Sequence, residues 1–472
     1  MIVPFVGGTY QMDALSFGVQ RSINLYPIIS EIDTNKSKTS LRSTAGLSLL
    51  ATAGGGPIRG CISSTSGRAF VVSGTGFYEY KADMSTTLIG SINTFTTRVS
   101  IAENNGQIII VDGQDGWIFD KNTDAFTQIT DPDFPTCSIV SYQDGYFLTF
   151  EDGTQKFYVS AIEDGTSWDA LDFTTVQSSP DNLTGIISDN GNVWLFGNRS
   201  TEVYQNTGGG SGFPFRRIGG AIIQTGCANG FTVQKFDNSI VWLGQDEQGT
   251  GVVWRANGYN AVRVSNKAIE SRIEEATDYT DSYAWVYHEQ GGIFYCLQIK
   301  GLDTTLVLDA ATGQWHERDF LDTDTNTRQQ HRGSCHMFFD QKNIVCDRAN
   351  GNIYEQSLSI YDYAGSPMVK ERTSPHYDDQ KSNIIHNKFE LDMEVGVGLT
   401  TGQGDNPQAM LQYSDDGGFT YGNELWTTIG KKGEYRTRVE WRRLGVARDR
   451  VYKLRISDPV QIQINEAYLN GV

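Results

Sequence analysis

Residues 106–129, GQIIIVDGQDGWIFDKNTDAFTQI, limit what this chain can become more than any other stretch. Residues 108–111 are an apolar run, 113–116 a turn, 117–119 a returning run, 120–124 a second turn, and 125–129 a third strand. β-Branched and aromatic side chains suit a pleated, half-buried surface. Gly, Asn and Asp suit turns that need positive φ or a side chain closing onto the backbone. The stretch is therefore an antiparallel meander, and six others share its plan, beginning near Gly67, Asp144, Gly191, Ser239, Gly291 and Lys342. Successive copies start 38 to 52 residues apart, about one four-stranded propeller blade. One such sheet cannot bury both its faces. Packed radially around an axis, each covers its neighbours, and only short edges remain.

The expectation is an all-β chain with a β-propeller over residues 51–365, of seven blades, or of six plus a linker hairpin. The 51 glycines and 11% aromatic residues fit so many turns and strands. No WD dipeptide or Kelch signature recurs. Two segments interrupt the repeat. NKAIESRIEEA, residues 266–276, predicts a helix capped by Ser265 or Asn266, with Ala268, Ile269, Ile273 and Ala276 on one face. TGGGSGFPFRRIGGA, residues 207–221, is Gly-rich but lacks the phosphate-loop pattern, and reads as a flexible blade connection.

Residues 1–50 stand outside the repeat as an N-terminal arm. Its polar stretch 31–43 has no periodicity and reads as a mobile loop. Arg21, Asn24 and Tyr26 are candidate anchors for the arm, on a neighbouring subunit or back on its own domain. Pro367 and Pro375 mark a linker at 366–382. Short alternating segments follow at 388–395, 409–413, 425–429, 437–444, 451–456 and 460–464, which predict a β-sandwich over 383–472.

The formal net charge of −18 argues against non-specific adhesion to nucleic acid or anionic membrane. Within 431–455, however, ten Lys/Arg face three acidic residues. On a strand, Arg436, Arg438, Glu440 and Arg442 would share one face, with Val439 and Trp441 on the other. With Arg443, Arg448 and Arg450 they form a candidate interface. That face is either merely solvated or meets an acidic patch on a partner or sister subunit; direct DNA binding ranks below both.

Other chemistry is sparse. SDDGGFTY, residues 414–421, has the spacing of an Asp-box, a hairpin turn closed by its own Ser, Asp and Thr side chains, which also occurs on sialidase propellers. A carbohydrate-active or glycan-binding propeller is therefore the alternative reading, although nothing in the repeats marks the arginine cluster and paired carboxylates such an enzyme needs. His331 and His336 with Cys335 between them offer donor atoms but match no metal motif. Asp-rich turns at 112–115 and 131–133 lack calcium-loop spacing. Cys61, Cys137, Cys227, Cys296, Cys335 and Cys346 are scattered, mostly within apolar runs, and read as buried free thiols from a reducing cytoplasm. No signal peptide or membrane span is expected, and no catalytic residue, cofactor or metal is assigned.

FGVQRSINLYP and TAGLSLL near the start, residues 178–208 and 224–244, the capped helix, and YSDDGGFTYGNE with WRRLGVARDRVYKLRISDPV near the end together give the chain its likeness. It resembles the tail hub, or nozzle, proteins of short-tailed bacteriophages, the packaged-DNA stabilisation proteins, over nearly its full length. One departure is Ala45-Gly46-Leu47, where that family often has Pro-Gly-Leu. The resemblance implies a non-enzymatic virion protein, made in the host cytoplasm. It further implies a homo-hexameric ring below the portal and its adaptor, double-stranded DNA passing through the lumen, and attached tailspikes or fibres and a needle or plug.

Overall fold

The computed structural model describes residues 2–32, 37–176, 179–208, 212–246, 249–276 and 278–470. Residues 33–36 of the polar stretch and 209–211 of the Gly-rich loop lie outside the described residues. Strand accounts for 53% and helix for 2%, so the chain is all-β.

Seven antiparallel sheets follow one another at 58–91, 100–128, 140–175, 183–223, 226–263, 283–322 and 333–357. The expected meanders are the later strands of each; one further strand precedes every meander, except in blade 5, where two short ones do, Gly226–Cys227 and Gln234–Lys235. These leading strands touch one another in sequence except at blade 5, where the short helical turn Gly230–Thr232 fills the place between blades 4 and 6, and that of the last sheet packs on that of the first. They therefore line the axis of a closed seven-bladed propeller. In blade 2, Ile108 and Ile110 join Phe70 and Phe77 of blade 1, while Ile109 and Val111 join Val140 and Phe147 of blade 3. A strand buried on both faces has no polar alternation to display, which is why IIIV is continuous. Its turn is closed by Asp112, whose Oδ1 accepts from Gln114 N at 3.0 Å and Asp115 N at 2.8 Å, with Gly113 at φ 87°.

The wheel closes with a borrowed strand. Blade 7 has Gly333–Phe339, Lys342–Asp347 and Asn352–Ser357 from its own stretch of chain; its outer strand is Gly46–Thr52, paired antiparallel with Asn352–Ser357. Gly46 allows this because a Cβ there would lie 2.5 Å from the carbonyl oxygens of Ile360 and Asp362. The helix forms as Lys267–Glu274, with Asn266 Oδ1 accepting from Ile269 N at 3.0 Å, and buries Ala268, Ile269 and Ile273 against blade 5.

The β-sandwich draws on both ends of the chain. One sheet runs Leu25–Ile29, Thr39–Ser43, Gln463–Leu469, Lys388–Met393, Val439–Arg442, and the other contains Lys370–Thr373, Asp449–Ile456, Gln408–Ser414 and Leu425–Thr428. Val3, Phe5, Leu25 and Leu41 share its core with Phe389, Leu411, Trp441, Tyr452 and Ile464. Residues 460–464 do not form the expected strand; it runs Gln463–Leu469, after a turn at Asp458 and Pro459. The second sheet does not stop at the sandwich. Lys370–Thr373 pairs with Val19–Ile23, which lies parallel to the outer strand of blade 6, Trp315–Asp322, so propeller and sandwich share one continuous sheet.

Candidate functional site

The seam around Val19–Ile23 contains all three residues expected to anchor the arm, and each holds it to its own chain. Arg21 grips the Glu317 carboxylate with two bonds, Nε to Oε1 at 3.0 Å and Nη2 to Oε2 at 2.5 Å. Glu317 is fully buried and also accepts from Thr304 Oγ1 at 2.7 Å. Burial pushes the Glu317 carboxyl up, but the charge and hydrogen bonds of Arg21 outweigh it and bring the pKa to about 2. Asn24, with φ 54°, is buried; its Nδ2 donates to Asp319 Oδ1 at 2.5 Å and Val369 O at 2.9 Å, and its Oδ1 accepts from Tyr363 OH at 3.1 Å. Tyr26 packs edge-on against Phe294 of blade 6, ring centroids 5.3 Å apart.

Sequence reasoning missed the other half of the seam. Arg372 is fully buried and, among the described residues, has no acidic partner: Nε donates to Phe5 O at 2.6 Å, Nη1 to Gly8 O at 2.9 Å and Nη2 to Gln20 Oε1 at 3.1 Å. Burial lowers its pKa to about 9. Arg328 bridges Asp319 at 2.7 Å and Glu371 at 2.6 Å. The propeller is thus joined to the sandwich by buried ion pairs and directed hydrogen bonds.

The basic residues of the C-terminal run separate into two groups. Val439–Arg442 is a four-residue strand with Val439 and Trp441 buried and Arg442 exposed, as its alternation implies. Arg436 and Arg438 do not share that strand; they lie in the preceding turn, where Gly430 and Gly433 hold positive φ of 96° and 91°. Arg436, Arg438, Arg442, Arg443 and Arg448 are exposed, as are Lys431 and Lys432. Tyr435, 73% exposed, stands among them, and Trp426, 61% exposed, lies on the neighbouring strand. Arg450 belongs elsewhere. It is buried, bonded through Nε and Nη2 to Asp415 at 2.6 and 2.8 Å, and sits over the Tyr413 ring.

Asp415 is the second residue of the Asp-box, whose Ser414, Asp416 and Thr420 close the hairpin. Asp416 Oδ1 accepts from Ser414 Oγ at 2.6 Å, Phe419 N at 3.0 Å and Thr420 N at 2.9 Å. The Ser414 and Thr420 hydroxyls, followed by these backbone donors, hold the Asp416 carboxyl well below the usual range.

At one mouth of the propeller axis is a cavity of about 670 Å³ to which all seven blades contribute. Its Arg59 is taken up by the carbonyls of Gly74 and Thr94 and the hydroxyls of Thr94 and Thr97. Arg98 lies over the Tyr283 ring at 3.7 Å and donates to Ser334 O. Asp112 closes its own turn, and Asp152 accepts from Ser138 Oγ at 3.0 Å. These groups are engaged in building the wheel.

Beside the axis, Cys61, Cys335 and Cys346 come together, all three Sγ atoms within 4.8 Å of one another. Burial opposes a thiolate at Cys335, but hydrogen bonds from the Cys346 and Cys61 thiols outweigh it and draw its pKa down. Neither His331 nor His336 joins the group. His331 Nδ1 accepts from Gly333 N at 3.1 Å, and His336 Nε2 meets Asn343 Oδ1 at 2.9 Å. Burial lowers their pKa values to about 3 and about 4.

A closed wheel whose axial polar groups serve its own turns, welded to a sandwich with a basic rim, defines a β-propeller–β-sandwich scaffold. Two family models match the sequence: bacteriophage P22 Gp10, beta-propeller, over residues 1–361, and bacteriophage P22 Gp10, beta-sandwich, over residues 370–471. The chain belongs to the bacteriophage P22 Gp10 family, structural proteins of the phage tail that stabilise packaged DNA, and it is a virion component. No curated protein matches the sequence.

Solved structures with a similar course include the extracellular domain of the putative hybrid two-component system BT4673 from B. thetaiotaomicron, at 10% identity and TM-score 0.45, over 85% of this chain and 48% of that one. The chain thus spans about half the length of that relative. The N-terminal domain of Nup159 matches at 8% identity and TM-score 0.43, over 71% of this chain and 99% of that one. YCF48 bound to D1 peptide matches at 12% and 0.41, over 70% and 97%. Among the described residues, no helix is long and apolar enough to cross a membrane.

Proposed function

We propose that six copies form a ring below the portal and its adaptor, enclose the DNA exit channel, retain the packaged genome, and carry tailspikes or fibres and a needle or plug. The observation that carries this reading is the exposed basic rim, residues 431–448 with Tyr435 and Trp426, on a chain of net charge −18. Arg442 of this rim already pairs with Glu440 at 2.6 Å, but the exposed Arg436, Arg438 and Arg443 leave it a positive patch that an acidic surface on another copy would complement. Copies arranged head to tail can satisfy it, and a head-to-tail contact that closes makes a ring. Arginine and aromatic side chains projecting together are also the usual anchors of protein interfaces. The same acidity suits a wall that DNA must slide past, because few phosphates exchange their counterions for protein.

The test is imaging of phage particles carrying Arg436→Glu with Arg438→Glu. The expected result is a folded protein that no longer enters the tail. A complete ring in the variant particles, or a wild-type ring of a number other than six, would overturn the proposal.

A further inference from the structure

The thiol group lies where the wheel closes. Cys335 and Cys346 stand directly opposite each other on adjacent strands of blade 7, Gly333–Phe339 and Lys342–Asp347. Cys61 is on Ile58–Ser63, the axial strand of blade 1, which packs against Gly333–Phe339. The three thiols therefore come from three strands and from opposite ends of the propeller sequence.

Four-coordinate zinc with sulfur at about 2.3 Å holds its thiolates about 3.8 Å apart. Sulfurs already within 4.8 Å of one another need only side-chain adjustment to reach that spacing. Cys346 is buried, while Cys61 and Cys335 keep some exposure toward a cavity of about 270 Å³ beside the axis. That cavity supplies an entry path and room for a water as fourth ligand. Arg98 lines it too, and its guanidinium offsets the single negative charge of a zinc ion bound by three thiolates.

We propose that Cys61, Cys335 and Cys346 bind one zinc ion and so tie blade 1 to blade 7. On binding, three thiol protons leave to solvent and three zinc–thiolate bonds form. The ion fastens the joint from the axial side, opposite the borrowed outer strand Gly46–Thr52.

The reduced full-length protein, loaded with Zn²⁺ alone and passed over a desalting column, is expected to retain one zinc ion per chain. Co²⁺ alone is expected to give the intense near-ultraviolet band of thiolate-to-cobalt charge transfer. Zinc is expected to slow alkylation of Cys61 and Cys335 by about tenfold, because the bound thiolate is not free to react. Cys346→Ser should abolish retention, whereas Cys137→Ser and Cys227→Ser should leave it intact. Should Cys346→Ser fail to fold, the cobalt spectrum and alkylation rates of the unmodified protein decide alone. A cobalt spectrum without the thiolate band, equal alkylation with and without zinc, or zinc retained by folded Cys346→Ser would each overturn the proposal.

Discussion

Replacing Arg21 with Met tests the seam most directly. In the native protein Glu317 is fully buried and its pKa is about 2, against an ordinary 4.5. That difference alone corresponds to about 3 kcal/mol of stability at neutral pH. Because Glu317 is depressed, its contribution is complete above pH 4.5 and is lost as pH falls from there toward 2. Without Arg21, the upward push of burial is opposed only by the more distant Arg272 charge and the Thr304 hydroxyl. Stranding a buried charge in this way costs about 3 to 5 kcal/mol.

The pH dependence then reverses. In Arg21→Met, the folded state holds a proton on Glu317 at pH values where the unfolded chain does not, so acidification from pH 7 to 5 relieves part of the defect. The deficit relative to wild type should be about 3 kcal/mol or more at pH 7 and clearly smaller at pH 5. Adding Glu317→Gln should recover most of it, because the amide can be buried uncharged. Hydrogen exchange of the Ser22 and Ile23 amides reads this seam locally and does not require the whole chain to unfold in one step. A deficit below about 1 kcal/mol at pH 7, which is surface-pair behaviour, or one that grows on acidification, would refute the reasoning.

Gly46→Val is expected to unseat the closing strand, because its side chain would meet the Ile360 and Asp362 carbonyls; limited proteolysis should then cut near residue 46 at a rate the wild type does not show. Burial lowers His331 to about 3 and His336 to about 4, so both fold as neutral rings. The unfolded chain takes up protons below pH 6.5 that the folded one refuses, and stability should fall by about 1 kcal/mol per pH unit per histidine between pH 6 and 4. Urea midpoints at pH 7.5 and 5 check this, with His331→Phe flattening the slope. Asp416→Ala should accelerate hydrogen exchange at Phe419 and Thr420, the amides its carboxylate holds, and leave the propeller unchanged.

The blades were legible because their strands are buried on both faces by apolar side chains, and their turns need Gly, Asn or Asp. Continuous runs such as IIIV and the positive-φ turn at Gly113 leave a periodic trace that requires no long-range information. The seam leaves no such trace. Lys370, Glu371, Arg372 and Thr373 are all buried, yet a Lys-Glu-Arg-Thr sequence next to prolines reads as a linker. His316, Glu317, Arg318 and Asp319 are likewise buried within the outer strand of blade 6. Charged side chains are buried only when partners receive them, and those of Glu317 and Arg372, namely Arg21, Phe5 and Gly8, lie about 300 residues or more away, outside any local window. The thiol group was hidden for the same reason: Cys61 meets the hairpin pair Cys335 and Cys346 only once the circle closes. Arg450 was misleading in the opposite sense, since a basic run gives no sign of which member turns inward.

The seam also explains how so long a chain can act as one rigid part. Had the propeller and sandwich met through an apolar patch, many relative orientations would bury similar area, because hydrophobic contact has little directionality. Here Arg21 reaches Glu317 with two bonds, Arg372 reaches three segments of the N-terminal stretch, and Arg328 spans blade 6 and the sandwich strand. Each of these tolerates a narrow range of angles, and a slip of the Val19–Ile23 pairing would leave buried charges without partners. The penalty for misalignment is therefore several kcal/mol at each ion pair broken. The N-terminal stretch supplies most of these contacts and then the strand that closes blade 7. The orientation of the sandwich and the closure of the wheel are thus fixed by one continuous segment. A structural protein of a phage tail has to hold its faces at constant angles while DNA is retained, and a junction built from directed, buried polar contacts meets that demand better than one built from apolar area alone.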